Sequence, residues 1–160
     1  CARCGGEMGL REIGGKLRKA CPACRYIHFV ETKVGVGMML VETGKLLLVK
    51  RRMNPERGKW CLPGGYLDYG EDPQATAARE MLEETGLVVS VEALVDVCHL
   101  PNPQGGASLF LLYRGTRVGG TLAAGDDASD AQFFAPHELP EIAFESTALA
   151  VKELRRSATQ

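Results

Sequence analysis

The segment from Gly65 to Leu87 restricts the fold more than any other part of this 160-residue chain. It begins at a glycine pair, Gly64-Gly65, and runs into a helix expected over about Pro73–Thr85. Asp72 stands where an N-cap belongs, Pro73 at the first helical position, and Gly86 just past the end. Near the C-terminal end lie Glu80, Glu83 and Glu84, within roughly a 100° arc at helical periodicity. Ala78, Met81, Leu82 and Thr85 are expected on the opposite face, packed against a sheet. The acids break local rules. Like charges three and four residues apart cost about 0.2–0.5 kcal/mol per pair. Anions in a last helical turn oppose the helix dipole by about 0.3–1 kcal/mol each. A hard divalent cation such as Mg²⁺ reverses both penalties, because it prefers oxygen ligands. Taken alone, the helix reads equally well as a solvated acidic face, with Arg79 softening the charge.

Around this helix the chain reads as strands. Val34–Val41 and Lys45–Arg51 are short apolar runs joined by Glu42-Thr43-Gly44, a hairpin pattern. Residues 52–70 carry Asn54-Pro55, Gly58 and Pro63-Gly64-Gly65 and read as a loop. Val88–Cys98 and Ser108–Arg114 read as strands separated by a loop at Pro101–Gly106. Val118–Ser129 reads as a loop, and Gln132–Phe134 as a short strand. A second helix is expected over Ser146–Arg156, with Ala148, Val151 and Leu154 at helical spacing. Strands mixed with two helices imply an α/β fold, a sheet with helices packed on it.

Residues 1–32 read as a separate unit, followed by a main domain over 33–160. The first unit has too few large aliphatics for a core, so it needs a staple. Cys1-x2-Cys4 and Cys21-x2-Cys24, 16 residues apart, have the spacing of a four-thiolate zinc ribbon. Four thiolates close the coordination shell, so this Zn²⁺ is expected to be structural. Arg3, Lys19 and Arg25 offset its charge. Cys61 and Cys98 lie in apolar contexts and read as buried small hydrophobes. His28, His99 and His137 stand isolated and are given no role.

Composition narrows the classes. The chain is 45% hydrophobic and 24% charged, with formal net charge -1. Residues 1–30 hold six Lys/Arg against Glu7 and Glu12, leaving the rest net acidic. The basic ribbon has only Tyr26 and Phe29 for stacking, so a nucleic-acid partner is not expected. No run approaches the ~18 apolar residues of a membrane span. Residue 1 is Cys rather than Met, so the numbering is expected to start inside the gene product. With no secretory signal read, the cytoplasm is the expected compartment.

The pattern Gly65-x5-Glu71-x7-Arg79-Glu80-Met81-x-Glu83-Glu84-x-Gly86-Leu87 fixes nine positions over 23 residues. It resembles the box of the Nudix hydrolases at every defined position, and Trp60-x-Leu62-Pro63-Gly64-Gly65 resembles the usual entry to it. The resemblance implies an α/β/α sandwich with a mixed sheet, preceded here by the zinc ribbon. It implies Mg²⁺- or Mn²⁺-dependent cleavage of the pyrophosphate in a nucleoside diphosphate linked to another moiety. Glu80, Glu83 and Glu84 are then metal ligands, with the Gly64 carbonyl a further one. Arg79 orients a glutamate through Glu71. A later loop acid adds a ligand or base; Asp126, Asp127 and Asp130 qualify, and Asp127 is preferred. Of Lys50, Arg51 and Arg52, which alternate sides, Arg52 is expected at the substrate, with Gly64 and Gly65. Tyr66, Tyr69, Phe110 and Phe144 are candidates to stack on a base or flavin.

A ribbon before such a domain is similar to the subgroup of NADH, ADP-ribose and FAD pyrophosphatases, as far as Ala143-Phe144-Glu145-Ser146. Two departures matter. The usual Asn-Pro-Lys after the ribbon is Glu31-Thr32-Lys33. The Ser-Gln-Pro-Trp-Pro-Phe-Pro signature of NADH pyrophosphatases is replaced by His99-Leu100-Pro101-Asn102-Pro103-Gln104, and Pro101 and Pro103 suit an ADP-ribose pocket. ADP-ribose or FAD is therefore the expected substrate. NADH, an NAD cap on RNA, or non-catalytic nucleotide or RNA binding are the alternatives. The resemblance leaves a homodimer open.

Overall fold

The computed structural model describes residues 1–100 and 107–157. The chain divides into two compact units, residues 1–32 and 33–160. In the first, β1 (Gly9–Ile13) and β2 (Lys16–Ala20) form an antiparallel hairpin, and β3 (Ile27–His28) adds to β2. Few side chains are buried in this unit; Ala20 and Cys21 are the fully buried ones. Such a sheet has little apolar area to hold it, which leaves the thiols as its natural fastening.

The second unit is built on β4 (Val34–Glu42) and β5 (Lys45–Arg51). They meet at a two-residue turn, Thr43-Gly44, with φ of 49° and 76°. Two consecutive positive φ values match the twist of a tight hairpin. The strands pair only at Val41↔Leu46 and Glu42↔Lys45, then part. β4 continues parallel to β9 (Leu109–Gly120) and antiparallel to the short β7 (Gly64–Tyr66). β5 pairs with β6 (Trp60–Cys61) and with β10 (Ala128–Phe134). β8 (Leu87–His99) lies antiparallel to β9, giving the order β10-β5-β4-β9-β8.

Strand alternation sorts the core onto two faces. Val36, Met38, Leu40 and Leu47 pack with Ala77 and Met81 of α1 (Pro73–Thr85). Met39, Leu46 and Leu48 pack on the other face with Ala150, Val151 and Leu154 of α2 (Glu145–Ser157). The result is the helix–sheet–helix sandwich with a mixed sheet.

Several expectations need correction. The stretch 52–70 contains β6 and β7, too short to show a period. β9 runs on to Gly120 and β10 starts at Ala128, so the expected loop over 118–129 shrinks to 121–127. Glycines at the strand end disguised the pairing with β8. On α2 the buried alanine is Ala150, while Ala148 is exposed. The expected loop at Pro101–Gly106 lies outside the described residues. Among the described residues no helix is long and apolar enough to cross a membrane.

Candidate active site

α1 forms for the local reasons read from the sequence. The Asp72 carboxylate accepts hydrogen bonds from the Gln74 and Ala75 N–H groups at 2.9 and 3.0 Å. Gly86 closes the helix at φ 68°, its N–H donating to the Leu82 carbonyl. The buried face differs from the one expected. Thr76, Ala77, Met81 and Thr85 point into the core, whereas Leu82 is half exposed. Glu84 is buried, with 5% of its surface exposed. The helix is rotated toward the acids because Glu84 has a partner inside: the Gly64 N–H donates to its Oε2 at 2.8 Å.

The three acids therefore occupy different surroundings rather than one solvated face. Glu83 is outermost. Its carboxylate and that of Glu80 both accept from Arg79 Nη1 at 2.9 Å, while Arg79 Nη2 reaches Glu71 at 3.2 Å. The sequence pairs Arg79 with Glu71 alone, but here it holds three glutamates. Glu71 also accepts from the Asp68 N–H and the Thr76 hydroxyl, and these bonds with Arg79 hold its pKa below the usual carboxylate range.

Burial pushes the pKa of Glu80 up, with Arg79 opposing. Glu84 is pushed up to about 9, first by burial, then by the facing Asp127 and by Glu80; only the Gly64 N–H works against the shift. A carboxyl group in this position stays protonated at neutral pH unless a cation arrives.

The turn between β6 and α1 is shaped by these acids. A Cβ on Gly65 would meet Glu80 Oε1 at 2.4 Å, and one on Gly64 would meet the Val36 carbonyl oxygen at 2.2 Å. Gly65 needs glycine for close approach alone, while Gly64 also has a φ of 158°, which L side chains rarely adopt.

Beside this turn lies a cavity of about 620 Å³. Gly64, Gly65 and Asp127 form part of its lining, with Tyr66, Phe110 and Phe144 as its aromatic surfaces. Three of the four expected aromatics thus share one cavity, and Tyr69 is fully exposed. Phe110 lies over Gly35 and Gly37, where side chains would collide with its ring.

Arg51 lines the cavity, whereas Arg52 does not: its Nη1 donates to the Asp126 carbonyl at 3.2 Å. Strand alternation sends these neighbours to opposite sides, and the sequence alone left the phase open. Asp127 is the loop acid that lines the cavity; Asp130 bonds Gln132 instead. Cys61 is buried in the wall, and burial, then Glu84, raises its thiol to about 11. It is chemically quiet.

In the first unit the Sγ atoms of Cys1, Cys4, Cys21 and Cys24 all lie within 4.8 Å of one another. Tetrahedral Zn–S bonds of about 2.3 Å place thiolates ~3.8 Å apart, so the set is compatible with zinc. Each pair sits in a knuckle: the Gly5 N–H donates to the Cys1 carbonyl and the Arg25 N–H to the Cys21 carbonyl. The Cys24 N–H lowers the Cys21 thiol to about 7, easing the deprotonation a metal needs. Among the described residues this is the one such convergent set. The carboxylates of α1 are spread apart, with Arg79 between Glu80 and Glu83.

A mixed sheet between two helices, a glycine pair abutting a capped acidic helix, and a cavity beside them define the class of protein. The NUDIX domain family matches residues 31–154. An ADP-ribose pyrophosphatase of Methanocaldococcus jannaschii is 37% identical over 81% of this chain and 78% of that protein. An NAD-capped RNA hydrolase NudC of Vibrio atlanticus is 28% identical over 89% of this chain, which spans 51% of the relative. The crystal structure of a NUDIX hydrolase from Nitrosomonas europaea superposes with a TM-score of 0.87 at 33% identity, covering 99% of this chain and 92% of that one. The chain belongs to the Nudix family of pyrophosphohydrolases.

Proposed function

We propose that the chain hydrolyses the pyrophosphate of a nucleoside diphosphate linked to a second moiety, with ADP-ribose or FAD the preferred substrate. One observation carries the reading: buried Glu84, facing Asp127, adjoins a cavity lined by three aromatic surfaces and the Arg51 side chain. Glu80, Glu83, Glu84, Asp127 and the Gly64 carbonyl are the oxygen donors that would hold Mg²⁺ or Mn²⁺. The elevated pKa of Glu84, raised first by burial and then by Asp127 and Glu80, supports this, since a hard cation bound among these oxygens would offset both costs. When bound, the cation neutralises charge around the phosphorus and eases in-line attack by water.

The chain's own groups do the rest. Arg79 braces Glu80 and Glu83, orienting both carboxylates. Glu80 and Asp127 are the carboxylates suited to accept the attacking water's proton. The aromatic surfaces hold a base or flavin ring by stacking. The four cysteines would hold a structural Zn²⁺, in a cytoplasmic setting that keeps thiols reduced.

The name of the Methanocaldococcus jannaschii relative favours ADP-ribose. Pro101 and Pro103, also invoked for it, lie outside the described residues. The second reading is an NADH or NAD-cap substrate, favoured by the NudC relative, whose similarity extends over 89% of this chain. The decisive measurement is kcat/KM for ADP-ribose, FAD, NADH and a nucleoside triphosphate at one Mg²⁺ concentration. A tenfold preference for NADH, about 1.4 kcal/mol of transition-state binding, promotes the second reading.

A further inference from the structure

The hairpin of the first unit carries a charge arrangement that its fold does not need. Residues 1–30 hold six Lys/Arg against Glu7 and Glu12. Arg3, Lys19 and Arg25 stand within two residues of a cysteine in sequence, where they offset thiolate charge. Arg11, Lys16 and Arg18 are left over. The register of β1 and β2 sets Arg11 opposite Arg18 and Ile13 opposite Lys16. Residues directly opposite share a face of a sheet, as do alternate residues along a strand. The three leftover cations therefore share one face. Glu12, opposite Leu17, is on the other face, as are Leu10 and Lys19.

Like charges directly opposite one another destabilise a strand pair. This small sheet has little buried apolar area to offset the loss. Among the described residues no ion pair involves residues 1–32. Arg11 and Lys16 are exposed. A local rule broken without compensation inside the fold points to a partner that supplies the missing negative charge.

Phe29 narrows the chemistry of that partner. The Arg18 guanidinium lies 4.8 Å from the centre of its ring, and Arg18 Nε donates to the Ile13 carbonyl at 3.4 Å. The ring itself is 57% exposed, which leaves area for a second planar group. Composition alone counts against nucleic acid, because two aromatics are few. The register reverses that by setting one of them beside the three cations. A lipid surface would need apolar side chains next to the cations, yet exposed Leu10 and Leu17 lie on the opposite face. An acidic peptide would satisfy the charge and leave the ring unused.

We propose that Arg11, Lys16 and Arg18, with Phe29 at their edge, form a binding face for single-stranded nucleic acid. The cations take successive phosphates, and the ring stacks on an unpaired base. The proposal concerns the first unit alone and does not rest on the hydrolase reading.

The probe is a fluorescein-labelled single-stranded RNA of about 12 nucleotides with a 5′ hydroxyl, which contains no pyrophosphate. Fluorescence anisotropy with the full zinc-loaded chain, without Mg²⁺, is followed from about 50 to 200 mM salt. Wild type should bind saturably, and more weakly as salt rises. Arg11→Gln and Lys16→Gln should each weaken binding about three- to tenfold and lower the slope of log K against log salt by about 0.7. Phe29→Leu should weaken binding about fivefold or more with the salt slope unchanged, since stacking releases no counterions. Lys45→Gln removes the same charge from the other unit and should change nothing. Zinc content and ADP-ribose turnover should be unchanged in Arg11→Gln and Lys16→Gln.

No binding by wild type, or equal weakening by Lys45→Gln and Arg11→Gln, overturns the proposal and leaves the hydrolase reading intact. So does capture of phosphatidylserine vesicles with no affinity for the RNA. Duplex RNA bound as tightly as the single strand removes the role given to Phe29 and refutes the single-strand assignment. Salt-dependent RNA binding by a chain that hydrolyses no nucleotide sinks the hydrolase reading and leaves this face standing.

Discussion

Replacing Glu84 by glutamine should stabilise the protein while destroying its activity. In the metal-free fold the Glu84 carboxyl titrates near pH 9, against an ordinary value of 4.5. The folded state therefore holds a proton that the unfolded chain releases between those values. Over that window the unfolded state binds fewer protons, so wild-type stability falls as pH rises, and it levels off above the folded pKa. At pH 7 the interval from 4.5, at about 1.36 kcal/mol per pH unit, amounts to roughly 3 kcal/mol.

Glutamine escapes this loss. It carries no charge, and its carbonyl oxygen can accept from the Gly64 N–H as the carboxylate does at 2.8 Å. For a chain of this size the gain corresponds to a Tm higher by roughly 6–12 °C at pH 7, as an order of magnitude. Added Mg²⁺ should invert the ranking, since it binds the wild-type carboxylate and stabilises by mass action. Differential scanning calorimetry from pH 5 to 9 reads both effects, in buffer dialysed free of Mg²⁺ without a strong chelator so that the thiol site keeps its metal. Subtracting the variant's curve from that of wild type isolates Glu84 from other acids such as Glu80. Parallel curves for the two proteins, or a Glu84→Gln midpoint below that of wild type at pH 8, would refute the reasoning.

The remaining expectations are direct. Hydrolysis should require Mg²⁺ or Mn²⁺, and Glu83→Gln should lower kcat by about 10²-fold or more with little change in Tm; near-normal turnover at saturating Mg²⁺ would remove Glu83 from the site. Freshly prepared reduced protein should contain about one zinc per chain by elemental analysis, and Cys21→Ser should unfold residues 1–32 without abolishing Mg²⁺ binding. Gly65→Ala should cut kcat by about tenfold or more, because the added methyl occupies the place of the Glu80 carboxylate; Mg²⁺ affinity measured by titration should fall with it, and an unchanged affinity would contradict the close approach.

What the sequence made legible was governed by local rules. The limits of α1 follow from Asp72, Pro73 and Gly86, whose preferences act within one turn of chain. The thiol pairs are legible because a knuckle needs only four residues. The orientation of α1 was not: Leu82 is as apolar as Met81, and only the Gly64 N–H, reached through the fold, explains why Glu84 lies inside while Leu82 faces water. The choice between Arg51 and Arg52 depends on strand phase, which the run Lys50-Arg51-Arg52 conceals because every position is basic. β6 and β7 escaped because two- and three-residue strands show no period.

The early parting of β4 and β5 has a kinetic consequence. After two pairs at the hairpin, each strand completes itself with partners far along the chain: β4 at Val34 meets Leu109, and β5 at Arg51 meets Ala128. Asp127, next to that last pair, comes opposite Glu84 only after the long loop between β5 and β10 has closed. Loop closure over such distances is an entropic barrier met before any contact rewards it. Helix α1, by contrast, can form and fray with its own caps. Glu80, Glu83 and Glu84 are therefore neighbours as soon as α1 forms, whereas Asp127 joins Glu84 only after the surrounding sheet is committed, so the last acid is added to the cluster once the fold is in place.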